Sequence, residues 1–559
     1  MSDKIGIYVC ECGPNIASKV DIPKIMEEIS KLEDFKDKEL IIKNHKLLCS
    51  VAGKKFLEDE INENKLTHLI CAACSPRDHD TTFINVCKKT QLNPYMYRIV
   101  NIREHCAWIY HDKDVATEKA IRYIHAGMDR VMYQNPLIEK QLDSIPDVLI
   151  IGAGIAGIET ALTLASDKRK VFLVEKTNII GGNSLELKKL LPKQGISLNG
   201  LKQKISDVKE NENIKVYTNT EVESIVGFLG NFEVVLKNND KTIELLTGAI
   251  VLANGFDLFD PKEIPEYNYS EKDNVFTSLE IEKMYTKDGK IILKSGKIPE
   301  SVALVHCVGR KEVGYCSKIC CNYMLKIANY LKEQSSNTKV IDLYKHMCLP
   351  NKNDQMFYDS TVEKEVDFIK VTDVSLKGTK VQYIGIDEAK KDLDVDMVIL
   401  APAMIPPKDT KNLAELLKID TDELGFYKES HMKINPISAN LDGIFFVGAG
   451  RAPIGISEAM IQAQAASGKI LTQLIPGQKI IPEVMVSEIL EAYCTGCKTC
   501  LDVCGFGAIY FDEDKGISIV NEAICRGCGN CVGSCPSGSI RTKHFTNPQL
   551  YQEIKEALR

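Results

Sequence analysis

The chain has 559 residues, 44% of them hydrophobic, and a formal charge of -7. At about 100–200 residues per domain this length implies several domains, and the acidic balance gives no basic footprint for nucleic acid. No apolar run reaches the roughly 18 residues of a membrane span, and Met1–Lys4 leads straight into a strand-like segment without a signal peptide, so a cytoplasmic protein is expected.

The 20 cysteines fall in three groups: seven from Cys10 to Cys106, five from Cys307 to Cys348, and eight from Cys494 to Cys535. Without export, that density reads as metal or redox chemistry rather than disulfides.

Residues 1–145 read as an α/β domain. The strand IGIYVC enters Cys10-Glu-Cys12, a helix IPKIMEEISKL follows, and the strand LIIKNH leads to Cys49. The strand THLICAAC carries Cys71 and Cys74, and MYRIVNIREHCAWIY carries Cys106. Strand–helix alternation predicts a small parallel sheet. Cys10/Cys12, Cys49 and Cys71/Cys74 should fall just past its strand ends and can converge at one edge, so an iron–sulfur site is expected there, with buried thiols as the bland alternative. Cys87 lies in a helix and reads as a structural thiol. The segment VATEKAIRYIHAGMDRVMYQ reads as a further helix, with His125 an ordinary helix-face histidine.

Residues 146–480 open on DVLIIGAGIAGIETALTLASDKRKVFLVEK, a strand, a glycine turn, a helix and a second strand ending in Glu175. Gly152 allows the tight turn, Gly154 leaves the backbone bare for a pyrophosphate at the helix N-terminus, and Gly157 permits close helix–strand packing. The Glu175 carboxylate can take a ribose hydroxyl. Gly181, Gly182 and Asn183 follow, where two-dinucleotide flavoproteins meet the cofactor's phosphate and ribose. The β-rich stretch IKVYTNTEVESIVGFLGNFEVVLK, with Val222, reads as the strand whose backbone meets adenine. Ala253-Asn254-Gly255 stands where such proteins carry an Ala-Thr-Gly turn. Far downstream, LDGIFFVGAGRAPIGISEAMIQAQAASGKI repeats the strand–glycine–helix plan, and Gly448, Gly450 and the helix start at Ile456 should face the flavin ring or ribityl chain. Together these segments describe a glutathione/thioredoxin-reductase-like FAD domain.

A second glycine fingerprint for NAD(P)H is missing. SVALVHCVGRKEVGYCSKICCNYMLKIANYL runs from a strand through a turn to a helix, but the turn holds Cys307 and a lone Gly309. Cys307, Cys316, Cys320 and Cys321 match no standard cluster spacing, so structural, redox and cluster roles all stay open.

Residues 481–559 carry Cys494, Cys497, Cys500 and Cys504, then Cys525, Cys528, Cys531 and Cys535-Pro536. This is the bacterial two-cluster ferredoxin pattern, in which the fourth cysteine of each run crosses to the other cubane. One [4Fe-4S] cluster should therefore take Cys494, Cys497, Cys500 and Cys535, and the other Cys525, Cys528, Cys531 and Cys504. Gly505 departs from the usual proline after the fourth cysteine. A pair of zinc ribbons is the alternative, disfavoured by the triple C-x-x-C-x-x-C run.

CECGPNI, CAACSPRDHDTTF, NPYMYRIVNIREHCAW, HCVGRKEVGYCSKICC and GIFFVGAG, with the fingerprint and the ferredoxin, resemble the HdrA family of heterodisulfide reductase subunits over nearly the whole chain. The resemblance implies an N-terminal [4Fe-4S] cluster with five candidate ligands, Cys10, Cys12, Cys49, Cys74 and Cys106, Cys10 the least favoured. It also implies a cation near flavin N5 at Lys326, which spacing alone would make a solvated helix lysine. Longer family members insert a ferredoxin domain after the G-N-F-x-V strand, whereas GNFEVVLKNNDKTIELLTGAIVLANG runs on without a cysteine. The resemblance thus implies a short-form electron-transfer or bifurcation component. It would work as a homodimer within a larger complex, together with an electron-donating subunit, HdrB/C-like acceptors and ferredoxin. A stand-alone NAD(P)H-dependent flavin reductase and a non-catalytic scaffold are the alternatives.

Overall fold

The structure is a computed structural model that describes residues 3–187, 189–190, 197–239, 241–269 and 274–558. The chain divides into two compact units, one of residues 1–142 with 481–559, the other of residues 143–480. The first and third of the expected segments thus fold as one unit.

In the first unit, strands β1 (Lys4–Cys10), β2 (Glu39–His45), β3 (His68–Ala73) and β4 (Tyr97–Asn101) form a parallel sheet of order β2-β1-β3-β4. Helices α1 (Ile22–Ser30), α2 (Val51–Asn64), α3 (Pro76–Lys88) and α4 (Lys113–Val131) cover it. Ile5, Ile7 and Val9 pack with Ile25 of α1 and Ile124 of α4, while Tyr8 and Cys71 pack with Leu57 of α2 and Phe83 of α3. Burial on both faces explains the unbroken apolar runs of β1 and β3. Side chains fix where the helices start: Asp21 Oδ1 accepts from Lys24 N–H at 3.1 Å, and Ser50 Oγ from Gly53 N–H at 3.0 Å.

The second unit has two main sheets. The strands β5 (Val148–Ile151), β6 (Val171–Val174), β7 (Ile214–Tyr217), β8 (Ala249–Leu252) and, from far downstream, Ile444–Phe446 form a parallel sheet with Ile444–Phe446 and β7 at its edges. Helix α5 (Ile155–Leu164) follows β5, and an antiparallel meander over Glu221–Phe228, Asn231–Asn238 and Lys241–Thr247 leads into β8. The seven-stranded second sheet centres on β9 (Ser301–Val308), β10 (Lys339–Tyr344) and β11 (Met397–Pro402), with helices α6 (Ser278–Asp288) and α7 (Cys320–Gln334) against it. The strand Ile444–Phe446 is β12, and helix α8 (Ile456–Gln473) returns along α5. A chain that leaves one parallel sheet, builds a second and comes back to the first has the two-dinucleotide plan.

The ferredoxin segment completes the first unit with two short antiparallel pairs, Ser487–Ile489 with Ile540–Thr542 and Ile509–Asp512 with Ile517–Val520. Its last helix, α9 (Asn547–Leu558), packs on α4. Glu553 takes both Arg98, at 2.6 Å, and Arg130, and Gln549 Nε2 donates to Tyr133 O at 2.8 Å. Among the described residues no helix is long and apolar enough to cross a membrane.

Candidate functional site

A cleft of about 690 Å³ opens in the second unit at the carboxyl end of β5, where an open parallel sheet receives its ligand. Gly152 turns the chain there with φ +105°, and a Cβ on it would lie 2.4 Å from Ala253 O. A Cβ on Gly157 would come within 2.0 Å of Gly152 O, so this glycine lets α5 close on the turn and does not line the cleft. Gly154 differs: a Cβ there meets no protein atom within 4 Å, and the position faces the cleft at the start of α5. Bare backbone at a helix N-terminus with open space above it suits a pyrophosphate. Glu175 lines the same cleft, and its Oε2 accepts from Ala153 N–H at 3.0 Å, which ties the acid to the glycine turn.

The other expected segments meet at this cleft. Gly181, Gly182, Asn183 and Val222 line one part of it, and Ala253, Asn254, Gly255, Gly448 and Ile456 another. Asn254 Nδ2 donates to Asp409 Oδ1 at 2.9 Å, and Asp409 also pairs with Lys176 at 2.9 Å. Gly450 stands behind the wall, where a Cβ would come within 3.0 Å of Asn254 Oδ1. The residues present therefore fit an FAD-shaped ligand at its phosphate and ribose end.

Lys326 lines this cleft from α7, and the solvated-lysine expectation fails: it is 3% exposed. Its Nζ sits 2.6 Å from Glu282 Oε1 of α6 and donates to Lys189 O at 3.1 Å, with the Tyr323 ring 4.3 Å away. Burial pulls its pKa down, against the charge of Glu282. Glu282 belongs to no motif, so sequence reading missed it.

The carboxyl end of β9 carries Cys307 and leads into the turn at Gly309. Cys307 has φ +62°, and a Cβ on Gly309 would lie 2.6 Å from the Phe259 ring. Cys307, Cys316, Cys320 and Cys321 line one small cavity with Arg310, whose Nη1 is 3.9 Å from Cys307 Sγ. Cys348 joins them, its N–H 3.3 Å from Cys321 Sγ. Behind Cys321, His306 Nε2 is 2.9 Å from Asp342 Oδ2, and both side chains are fully buried. Burial opposes the imidazolium, but Asp342 and Cys321 outweigh it and raise His306 to about 10.

In the first unit the strand ends of the sheet gather thiols. Cys12 N–H donates to Lys46 O at 3.1 Å, carrying the β1–β2 pairing past the strands and bringing Cys12 to the Cys49 loop. Cys10 feels the charges of Cys12 and Cys49, and Cys74 those of Cys49, Cys10 and Cys12. Arg103 stands beside Cys74 and Cys12, stacked 4.9 Å from the Trp108 ring. Burial nonetheless pushes the Cys10 thiol up and the Cys74 thiol up to about 11, with Arg103 pulling Cys74 back. The expectation that Cys10 and Cys71 fall past strand ends is corrected: Cys10 is the last residue of β1 and 3% exposed, and Cys71 lies inside β3, fully buried, where both join one core with Cys87. Cys106 is also fully buried, packed against the α1 and α4 face; burial pushes it to about 12, and the neighbouring charge is Lys119.

The ferredoxin cysteines form two groups. Cys494, Cys497, Cys500 and Cys535 line one cavity, while Cys531 has Cys525, Cys504 and Cys528 as its charge neighbours. Burial works against the Cys535 thiolate, but the Ser539 and Ser537 hydroxyls bring it down to about 6. Backbone N–H groups reach the sulfurs as well, Ala508 to Cys504 at 3.3 Å and Gly527 to Cys525 at 3.5 Å. The glycines between the first cysteines are required, since a Cβ on Gly496 would lie 2.6 Å from Gly516 O and one on Gly527 2.3 Å from Met485 O.

Comparison with known proteins agrees with this geometry. The family described as pyridine nucleotide-disulphide oxidoreductase matches residues 146–469, and the 4Fe-4S dicluster domain matches 493–539. An iron-sulfur subunit of CoB–CoM heterodisulfide reductase from Methanopyrus kandleri, of the HdrA type, is 32% identical, covering 100% of this chain and 99% of its own. This chain belongs to the HdrA family of heterodisulfide reductase subunits. A second HdrA relative, from the H(2):CoB-CoM heterodisulfide,ferredoxin reductase of Methanothermobacter marburgensis, is 30% identical over 99% of this chain and 97% of its own. The first alignment spans 654 positions against 559 residues here, so the Methanopyrus protein has stretches this chain lacks. Among solved structures, T. acidophilum thioredoxin reductase is 19% identical, covers 59% of this chain and 99% of its own, and has a TM-score of 0.41, too loose to carry an argument. As an HdrA homologue the chain is redox-active, with an FAD-binding fold and a C-terminal iron–sulfur dicluster domain.

Proposed function

We propose that this chain is the FAD- and [4Fe-4S]-bearing electron-transfer subunit of a cytoplasmic heterodisulfide-reductase-like complex, relaying and dividing electrons among its partners. The observation that carries the reading is the meeting of the Gly152 turn, the Asn254 turn and the Gly448 loop in one cleft. Bound FAD exchanges electron pairs and [4Fe-4S] clusters single electrons, so a chain holding both couples the two regimes. The α5 amides beside Gly154 take the pyrophosphate, Glu175 a ribose hydroxyl, the Val222 backbone the adenine, and the Gly448 and Ile456 amides the flavin end. Lys326 supplies a buried cation at the same cleft.

Cys494, Cys497, Cys500 and Cys535 hold one cluster of the C-terminal domain, and Cys525, Cys528, Cys531 and Cys504 the other. In the N-terminal domain, Cys10, Cys12, Cys49 and Cys74 hold a third cluster, and Cys106 is the candidate left in the core. This set reverses the sequence preference against Cys10, on the ground that Cys12 and Cys49 are charge neighbours of both Cys10 and Cys74, whereas the one charge neighbour of Cys106 is Lys119. The partners are an electron-donating subunit, HdrB/C-like acceptors, ferredoxin and a second copy of the chain.

Direct reduction by NAD(P)H is disfavoured, because the turn after β9 carries a lone Gly309 in place of a second glycine fingerprint. Anaerobic purification with iron, sulfide and flavin counts tests the reading: about twelve irons, three cubanes' worth, and one FAD per chain are expected. Rapid bleaching by NADH without partners would overturn it.

A further inference from the structure

The first unit carries a group of metal-ligating side chains that the electron relay does not use. His125 and Asp129 stand one turn apart on α4, and Glu556 reaches them from α9, with one donor atom of each within 4.8 Å of the others. His125 Nδ1 is 3.4 Å from Glu556 Oε2, while Nε2 is 3.6 Å from Asp34 Oδ2 and 3.9 Å from Asp129 Oδ2. The group is largely out of water: side-chain exposure is 1% for Glu556, 13% for His125 and 18% for Asp129, with Asp34 outside at 62%. The Phe35 ring packs edge-on against the imidazole, 6.0 Å between centroids, and fixes its plane.

The carboxylates of Asp34, Asp129 and Glu556 stand around one imidazole. Lys555 approaches Glu556 Oε1 at 3.3 Å, but it is 56% exposed and stands on the solvent side. His125 Nε2 is buried and makes no hydrogen bond among the described residues, although it faces two carboxylates. A buried imidazole nitrogen aimed at carboxylate oxygens has the donor chemistry of a divalent-cation site, and an i, i+4 pair on a helix puts two donors on one face.

We propose that His125, Asp129 and Glu556, with Asp34 as an outer fourth donor, form a structural divalent-cation site that clips α9 to α4. One ion binds only one ring nitrogen, and Glu556 lies on the Nδ1 side while Asp129 and Asp34 lie on the Nε2 side, so side-chain rotation must bring donors now within 4.8 Å of one another to metal–ligand distances of about 2.0–2.2 Å. The ion neutralises the carboxylates and fixes the terminal helix; it carries no electrons. The inference stands whether or not the relay reading does.

Mn2+ is the probe of choice, because imidazole and carboxylate bind it and thiolates bind it poorly. The full chain, purified anaerobically with its cofactors, is titrated with Mn2+ while the free-ion EPR signal is followed. One saturable equivalent is expected, weakened at least tenfold in Glu556→Gln and His125→Ala, with iron and flavin content unchanged. Hydrogen exchange over residues 547–558 should slow on adding Mn2+ to the parent and not to the variants. No saturable equivalent in the parent, a site that survives both substitutions, or exchange in α9 indifferent to Mn2+ would overturn the proposal. If α9 protection instead tracks pH alone, a proton on His125 does the clipping and the metal assignment fails.

Discussion

Lys326 Nζ lies 2.6 Å from Glu282 Oε1, and neither side chain is more than 4% exposed. Two charges taken out of water together are tolerable only as a pair, and removing one partner costs about 3–5 kcal/mol. Lys326→Met and Glu282→Gln should each lower the unfolding free energy of the chain by about that much, and the double variant should recover most of it. In the loaded protein, Lys326→Met should also shift the midpoint of the flavin's reductive titration. An unchanged titration would remove Lys326 from the site.

The glycines of the turn separate fold from ligand. Gly154→Ala meets no protein atom, so the flavin-free chain should unfold as the parent does, within about 0.5 kcal/mol. Its Cβ fills the space assigned to the pyrophosphate, so flavin retention should fall. Gly152→Ala must place a Cβ 2.4 Å from Ala253 O at φ +105° and should cost about 1–3 kcal/mol or more even without flavin. Calorimetry of apo and loaded protein distinguishes the two patterns; equal damage to both apo proteins would contradict it.

His306 and Asp342 predict a pH dependence. The histidine's pKa stands at about 10, above the 6.5 of the unfolded chain, so the pair's stabilisation is complete below about pH 6.5 and is lost as pH rises towards 10. Asp342→Asn should flatten that part of the stability profile. A variant whose unfolding midpoint falls between pH 6.5 and 10 as steeply as the parent's would show that the pair is not its source.

The N-terminal thiols can be counted. Serine in place of Cys10, Cys12, Cys49 or Cys74 should each remove about four irons per chain, the content of one cubane. Cys106→Ser should keep the full iron content and act only on stability, at about 1–3 kcal/mol for a buried hydroxyl. Loss of four irons from Cys106→Ser would exchange its place with one of the other four.

Local signals were legible in the sequence. The Gly152–Glu175 fingerprint, the two cysteine runs of the ferredoxin and the strand–helix alternation of residues 1–145 depend on spacing within one turn, one loop or one βαβ unit, and spacing is what a sequence records. That Cys535 stands with the first run and Cys504 with the second follows the same repeat of the motif. Which distant residues meet was not legible. Only the sheet order β2-β1-β3-β4 brings the Cys12, Cys49 and Cys74 loops to one edge, and only strand alternation turns Cys71 into the core. Lys326 read as a solvated lysine because Glu282, its counter-charge, lies on another helix. The approach of Glu556, from the far end of the chain, to 3.4 Å from His125 Nδ1 left no trace in the sequence. Contacts between residues far apart in the chain are set by the fold and not by spacing, so the tertiary structure alone decided these pairs.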